Sequence, residues 1–145
     1  MTTRIALIIA GTMMTGFTFG QHAATKQAAE KAKQKKTTKA HYGTASFYAN
    51  KFDGRRTANG EIFSQKEMTG ACNIIALNTW VKVTNLRNKK HLVVKITDRM
   101  HPKNPRLIDL SRSAARELGY TGRGLARVKV EVLGKKRPPG WTVIQ

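Results

Sequence analysis

Residues 41–134 are dominated by strand-length runs, and only one helix is well signalled among them. Residues 92–97 form a compact apolar run with Val93, Val94 and Ile96, the pattern of a strand covered on both faces. Residues 79–86 alternate Trp80, Lys82 and Thr84 against Val81 and Val83, and Arg87-Asn88-Lys89-Lys90 reads as the polar hairpin turn joining these two runs. Residues 41–48 space Tyr42, Thr44, Ser46 and Tyr48 between small residues. Residues 125–133 set Val128, Val130 and Val132 against Lys129 and Glu131. The single helix signal is Ser111 as N-cap, the helix formers Ala114 to Leu118, and Gly119 as the residue after the C-cap. Short strands, one or two short helices and glycine-rich turns predict a mainly β chain closed into a small barrel.

The barrel must hold itself together by its core. Cys72 is the lone cysteine, so no intramolecular disulfide is possible, and no lipid-modifiable cysteine follows the N-terminal segment. That segment, residues 1–20, has the form of a signal peptide. Arg4 supplies its charge, and a mostly apolar stretch over 5–19 is broken by Gly11, Thr12, Thr15, Gly16 and Thr18, too short to span a bilayer. Thr18-Phe19-Gly20 offers small residues for cleavage before Gln21, with an uncleaved membrane anchor as the alternative. Residues 21–40 carry Lys26, Lys31, Lys33, Lys35, Lys36 and Lys39 against Glu30 and show no recurring apolar face. They read as a flexible basic linker, either a plain spacer or a tether to an anionic envelope polymer. Residues 135–145 read as an extended tail.

Charge narrows the partners. The chain carries 27 Lys and Arg against eight Asp and Glu, and residues 41–134 alone carry 17 against seven. Such basicity points first to nucleic acid, but export makes that partner a poor choice and an anionic cell-wall surface the natural one.

In a chain so poor in acid, three carboxylates sit at punctuated positions. Glu61 leaves the turn Thr57-Ala58-Asn59-Gly60, and it is either pushed into a groove on entering a strand or simply exposed on a hairpin. Asp98 ends the most apolar run. It either serves a site or pairs with Arg99 or Arg106 to fix the loop 99–106, within which the Met100–Pro105 segment, with two prolines, reads as a fixed groove wall. Asp109 lies between Ile108 and Leu110, which could desolvate it and raise its pKa as a general acid requires; the alternative is a hydrogen-bond acceptor at the helix start. Cys72 reads as a buried thiol rather than a nucleophile, because His22, His41, His91 and His101 are scattered and form no Cys/His motif. The same scatter argues against a metal site, and no cofactor is expected. Tyr42, Phe47, Tyr48 and Trp80 are divided between core packing and sugar stacking.

Five segments, in order, then carry a resemblance. They are Gly43-Thr44-Ala45-Ser46-Phe47-Tyr48, the run Gly54 to Phe63 containing Arg55-Arg56-Thr57-Ala58-Asn59-Gly60-Glu61, the run Thr79 to Leu86, Ile96-Thr97-Asp98-Arg99, and Ile108-Asp109-Leu110-Ser111. Together they resemble the rare lipoprotein A (RlpA) family over about residues 41–134. The resemblance implies a six-stranded double-psi β-barrel, a fold shared with expansins, and the activity of an endolytic peptidoglycan lytic transglycosylase. It implies that Asp109 is the general acid/base, with Glu61 and Asp98 lining the same groove in support. Arg55, Arg56, Arg99, Tyr48 and Asn59 become candidate contacts to substrate, the arginines to its lactyl or stem-peptide carboxylates. One carboxyl group suffices for lytic chemistry, because the nucleophile is a hydroxyl of the substrate itself.

The chain departs from the family pattern at Cys72, where a His is common, at Ser64, and at Ile75-Ala76-Leu77-Asn78. The competing expectation is an expansin-like protein that binds wall polysaccharide without cleaving it. Either way the expected partner is a peptidoglycan glycan strand, met in the periplasm or cell envelope by a monomer without a lasting membrane anchor.

Overall fold

The structure, a computed structural model, describes residues 38–141. The signal peptide expected over 1–20 and all but the last three residues of the linker expected over 21–40 lie outside the described residues, and Ala40, counted in that linker, opens β1. Eight elements follow in order: β1 (Ala40–Phe47), a 3₁₀ turn (Asn50–Phe52), β2 (Thr69–Ala71), β3 (Trp80–Asn85), β4 (His91–Asp98), β5 (Ile108–Leu110), α1 (Arg112–Glu117) and β6 (Ala126–Gly134). The strands close into the expected six-stranded barrel, in the order β1-β5-β2-β4-β3-β6. Two pairs are parallel, β1 with β5 and β2 with β4, and the rest are antiparallel.

The alternating runs land where their periodicity puts them. Val81, Val83, Val128 and Val130 are fully buried in the barrel, joined by Val94 and Ile96 from β4 and by Ile108 and Leu110 from β5. On β4 the consecutive pairs Val93–Val94 and Ile96–Thr97 are buried, so both its faces are covered as expected. The hairpin over 87–90 turns through Lys89 at φ 63°, and the amides of Asn85 and Asn88 both donate to the Leu118 carbonyl at 2.9 Å. That double bond ties the hairpin to the end of α1.

Helix α1 begins and ends as read. The Ser111 hydroxyl accepts from Ala114 N–H at 3.3 Å, and Gly119 follows the C-cap with φ 74°. Ser111 is fully buried, so water cannot replace its hydroxyl. Ser111→Ala is expected to lower stability by about 1 kcal/mol, measured as an earlier urea midpoint at unchanged slope.

Two expectations are corrected, and two strands went unread. Glu61 does not enter a strand: Arg56 and Ile62 form only an isolated bridge across the turn. Strands β2 and β5 carried no signal, because three residues are too few to show alternation. β2 also contains Gly70, where a Cβ would lie 3.0 Å from Leu110 Cδ2 and 3.3 Å from the Asp109 carbonyl, so close approach of the backbones selects glycine. Finally, the described part of the C-terminal tail, 135–141, is not extended. Arg137 lies over the Trp80 ring at 5.5 Å and donates to the Trp141 carbonyl at 2.7 Å, while Trp141 meets His91 edge-on. Among the described residues no helix is long and apolar enough to cross a membrane.

Candidate active site

Barrel topology brings two of the three conspicuous acids to one level. Ala71 on β2 is the register partner of Asp98 on β4 and also of Asp109 on β5. The two acids therefore stand on strands one place to either side of β2, with Cα atoms about 10 Å apart by ordinary strand spacing. Both line a groove of about 510 Å³ whose walls include Tyr48, Phe52, Arg99, Met100, His101 and Arg106.

Their surroundings differ sharply. Asp109 is held by Arg106 in a two-point ion pair, Nε to Oδ1 at 2.7 Å and Nη2 to Oδ2 at 2.9 Å. The pair holds the Arg106 guanidinium above its usual range. The flanking Ile108 and Leu110 point into the core, so the apolar shell expected around Asp109 is replaced by an arginine. Asp98 has no such partner: among the described residues the acids in ion pairs are Glu61, Asp109 and Glu131. Its Oδ1 instead accepts the backbone N–H of Ala58 at 2.9 Å and of Arg99 at 2.8 Å, and its Oδ2 accepts the Tyr48 hydroxyl at 2.8 Å. The pairing of Asp98 with Arg99 or Arg106 is thus corrected. Arg99 turns its guanidinium to the carbonyls of Cys72 and Ile75, the latter at 2.7 Å.

Tyr48 is held by its neighbours. Its ring lies 4.3 Å from Phe63 and 5.7 Å from Phe52. Burial, then its bond to Asp98 and the negative charges of Asp98 and Asp109, push its pKa above the usual tyrosine range. The hydroxyl therefore keeps its proton and stays a donor to Asp98. One layer below, the buried Tyr120 hydroxyl donates at 2.8 Å to the carbonyl of Ser46, the register partner of Asp109, and so braces β1 behind the groove. The loop 99–106 is pinned as a wall. Asn73 accepts from Met100 N–H at 2.9 Å and donates to the His101 carbonyl at 3.3 Å, and Asn104 caps Arg106 N–H at 3.0 Å.

The turn around Glu61 reaches this groove through backbone, not through its carboxylate. Ala58 N–H binds Asp98, and Asn59 N–H binds the Thr97 carbonyl at 3.0 Å. Asn59 is occupied within its turn and across to the 75–78 segment, accepting from the Thr57 hydroxyl at 2.6 Å and donating to Asn78 at 2.9 Å. Arg56 donates to the Gly60 carbonyl at 2.9 Å, and Arg55 stacks over Phe52 at 5.5 Å. None of Arg55, Arg56, Asn59 or Glu61 is among the groove-lining residues. Glu61 is exposed and pairs with Lys95, whose ammonium holds the Glu61 carboxyl below the usual carboxylate range. A depressed pKa stabilises the fold above the ordinary glutamate value, and that gain is lost as pH falls through the lowered one. Because both groups meet solvent, Glu61→Gln is expected to cost only roughly a few tenths of a kcal/mol at pH 7. The difference from wild type should vanish in acid, as read by urea titration at several pH values.

Cys72 is fully buried in the core and free, which agrees with the reading of a buried thiol. Met100, His101 and Asn104 of the segment expected as a groove wall do line the groove, while sequence reasoning missed Phe52 there and Tyr120 as a brace, neither of which carried a local cue.

Known proteins match this barrel closely. The family model described as lytic transglycolase matches residues 40–130. The chain is 48% identical over 91 residues to the endolytic peptidoglycan transglycosylase RlpA of Pasteurella multocida, covering 63% of this chain and 31% of that one. It is 49% identical over 89 residues to the protein of that name from Pseudomonas aeruginosa (strain UCBPP-PA14), covering 61% and 26%. The chain thus spans about a third or less of the length of these relatives. Among solved structures, a Clavibacter michiganensis expansin superposes with a TM-score of 0.55 at 21% identity, covering 70% of this chain and 54% of that one. A Streptomyces papain inhibitor does so with a TM-score of 0.53 at 18% identity, covering 65% and 94%. These last two likenesses establish the shared fold alone.

Proposed function

The chain belongs to the lytic transglycolase family, and from that premise we propose that it cleaves peptidoglycan glycan strands internally, between N-acetylmuramic acid and N-acetylglucosamine, leaving 1,6-anhydro ends. The observation that carries this reading is Asp98: a groove carboxylate with no cationic side-chain partner among the described residues, oriented by two backbone amides and a tyrosine hydroxyl. Protonated Asp98 donates to the bridging glycosidic oxygen as its bond to muramoyl C1 breaks and positive charge develops on the ring. The resulting carboxylate takes the proton from the muramoyl C6 hydroxyl, whose oxygen closes on C1. The proton lost in the first half is regained in the second, so one carboxyl group serves both. Tyr48 keeps Oδ2 aimed into the groove throughout.

Asp109, the acid first expected in this role, is the second choice, because both its oxygens face a guanidinium, whereas the three donors on Asp98 are neutral. The pair has another use. Nε and Nη2 of Arg106 face Asp109, which leaves Nη1 to meet a lactyl or stem-peptide carboxylate on the strand. Glu61 supports the turn that supplies the Ala58 amide. The substrate named for the relatives lies in the cell envelope, and a signal peptide over residues 1–20 would deliver the chain there.

Digestion of purified peptidoglycan, followed by mass spectrometry of the soluble fragments, tests the reading. Anhydromuramoyl ends support it and reducing ends indicate ordinary hydrolysis. Intact glycan that still pulls down the protein indicates an expansin-like binder.

A further inference from the structure

A second cavity of about 510 Å³ opens where the C-terminal segment folds against β3 and β4, away from the groove and sharing none of its lining residues. Its wall is largely apolar, with aromatic and basic side chains set into it. His91 and Trp141 supply flat surfaces beside Trp80, one face of which Arg137 covers, and Lys89, Lys90 and Arg137 supply charge against the one acid, Glu117. Arg137 is held in place rather than left waving: its guanidinium lies over the Trp80 ring at 5.5 Å, and its Nη2 binds the Trp141 carbonyl at 2.7 Å. Trp141 is steadied in turn by edge contact with His91 at 5.7 Å.

Flat rings beside oriented cations suit one kind of ligand. The C–H face of a sugar ring lies flat on an indole, and a carboxylate on that sugar reaches a guanidinium already fixed at the rim. The volume lies within the range of small-ligand sites. We propose that this cavity is a second glycan site, which grips a carboxylate-bearing amino sugar of a strand at a distance from the cleavage groove. The choice of an acidic glycan rests on the proposed substrate; the site itself does not depend on the groove's chemistry. A strand held at two places dissociates more slowly, which suits an enzyme that cuts within chains rather than at their ends.

The chain offers its own probe, because Trp80 and Trp141 are its two tryptophans and both line this cavity. Intrinsic emission of the full chain carrying Asp98→Asn, which cannot consume the ligand, is titrated with a soluble oligosaccharide of alternating N-acetylglucosamine and N-acetylmuramic acid. The expected result is a saturable emission change. It should weaken at least tenfold when the lactyl carboxylates are amidated, and at least tenfold in Arg137→Gln, whose circular dichroism should match the parent because Arg137 is exposed. Silent emission at millimolar glycan, equal response to the amidated glycan, or an unchanged response in Arg137→Gln each overturns the proposal. So does a response to anionic lipid vesicles but not to glycan, or an emission that changes with protein concentration alone, the sign of a second copy in the cavity. Failure of the cleavage reading looks different: the wild-type chain would leave glycan uncut while the emission response persists.

Discussion

Asp98→Asn is expected to abolish the formation of anhydromuramoyl ends, with a rate loss of about 10²- to 10⁴-fold, the range for removal of a positioned acid or base. The fold should survive the change. Oδ1 of the asparagine can still accept the amides of Ala58 and Arg99, and the Tyr48 hydroxyl can rotate to accept from the new Nδ2. What disappears is the transferable proton, so the loss should fall on kcat with little change in KM. Asp109→Asn is expected to act differently: it loosens Arg106, weakens the grip on the strand and raises KM more than it lowers kcat. Equal melting temperatures for the two variants would separate chemistry from stability. If Asp109→Asn formed no anhydromuramoyl ends while Asp98→Asn stayed fully active, the assignment would be reversed.

Gly43→Ala is expected to destabilise the barrel by about 2–3 kcal/mol, the upper part of the range for overpacking, because the contact is close although half-buried. A Cβ on Gly43 would stand 2.6 Å from Leu107 Cβ. Leu107 cannot retreat, because its N–H binds the Thr44 carbonyl at 2.9 Å, one residue along the same strand. Nor can Gly43 shift alone, since it is registered against Val128 on β6. For a domain of this size the expected fall in Tm is roughly 10–20 °C. The double variants make the cause specific. Leu107→Ala keeps the offending Cβ and should not rescue Gly43→Ala, whereas Leu107→Gly removes it and should recover part of the loss. Rescue by Leu107→Ala would mean that the branched end of the side chain, not its first carbon, is the obstacle.

How much of this could be read from the chain depends on length and on backbone. The long strands were legible because six to nine residues suffice to show which face is apolar, as Val81 and Val83 or Val128 and Val130 do. β5 was not, although it carries Asp109, because Ile108-Asp109-Leu110 taken alone fits a strand or a helix start equally well. The acids themselves were legible as unusual, but their partners were not. Arg99 follows Asp98 directly, yet successive residues at the end of a strand point to opposite sides, and its guanidinium goes to the 72–75 loop instead. The link between the Glu61 turn and Asp98 runs through the Ala58 amide, and a backbone donor leaves no mark on residue type. The tail escaped for a similar reason. Arg137 and Trp141 become meaningful only when the chain turns between them, next to a tryptophan far away in sequence.

The closing strand has a consequence in time. β6 bonds to both β1 and β3, and β1 has only β5 and β6 as neighbours, so Ala40 must wait for Glu131 and Ala45 for Ile108. During synthesis, which proceeds from the N-terminus, the first strand has nothing to pair with until most of the chain exists, and the ring cannot shut before its last strand arrives. A topology that postpones its own completion keeps a polypeptide threadable until the end, the state in which a chain can still be passed through a narrow export channel.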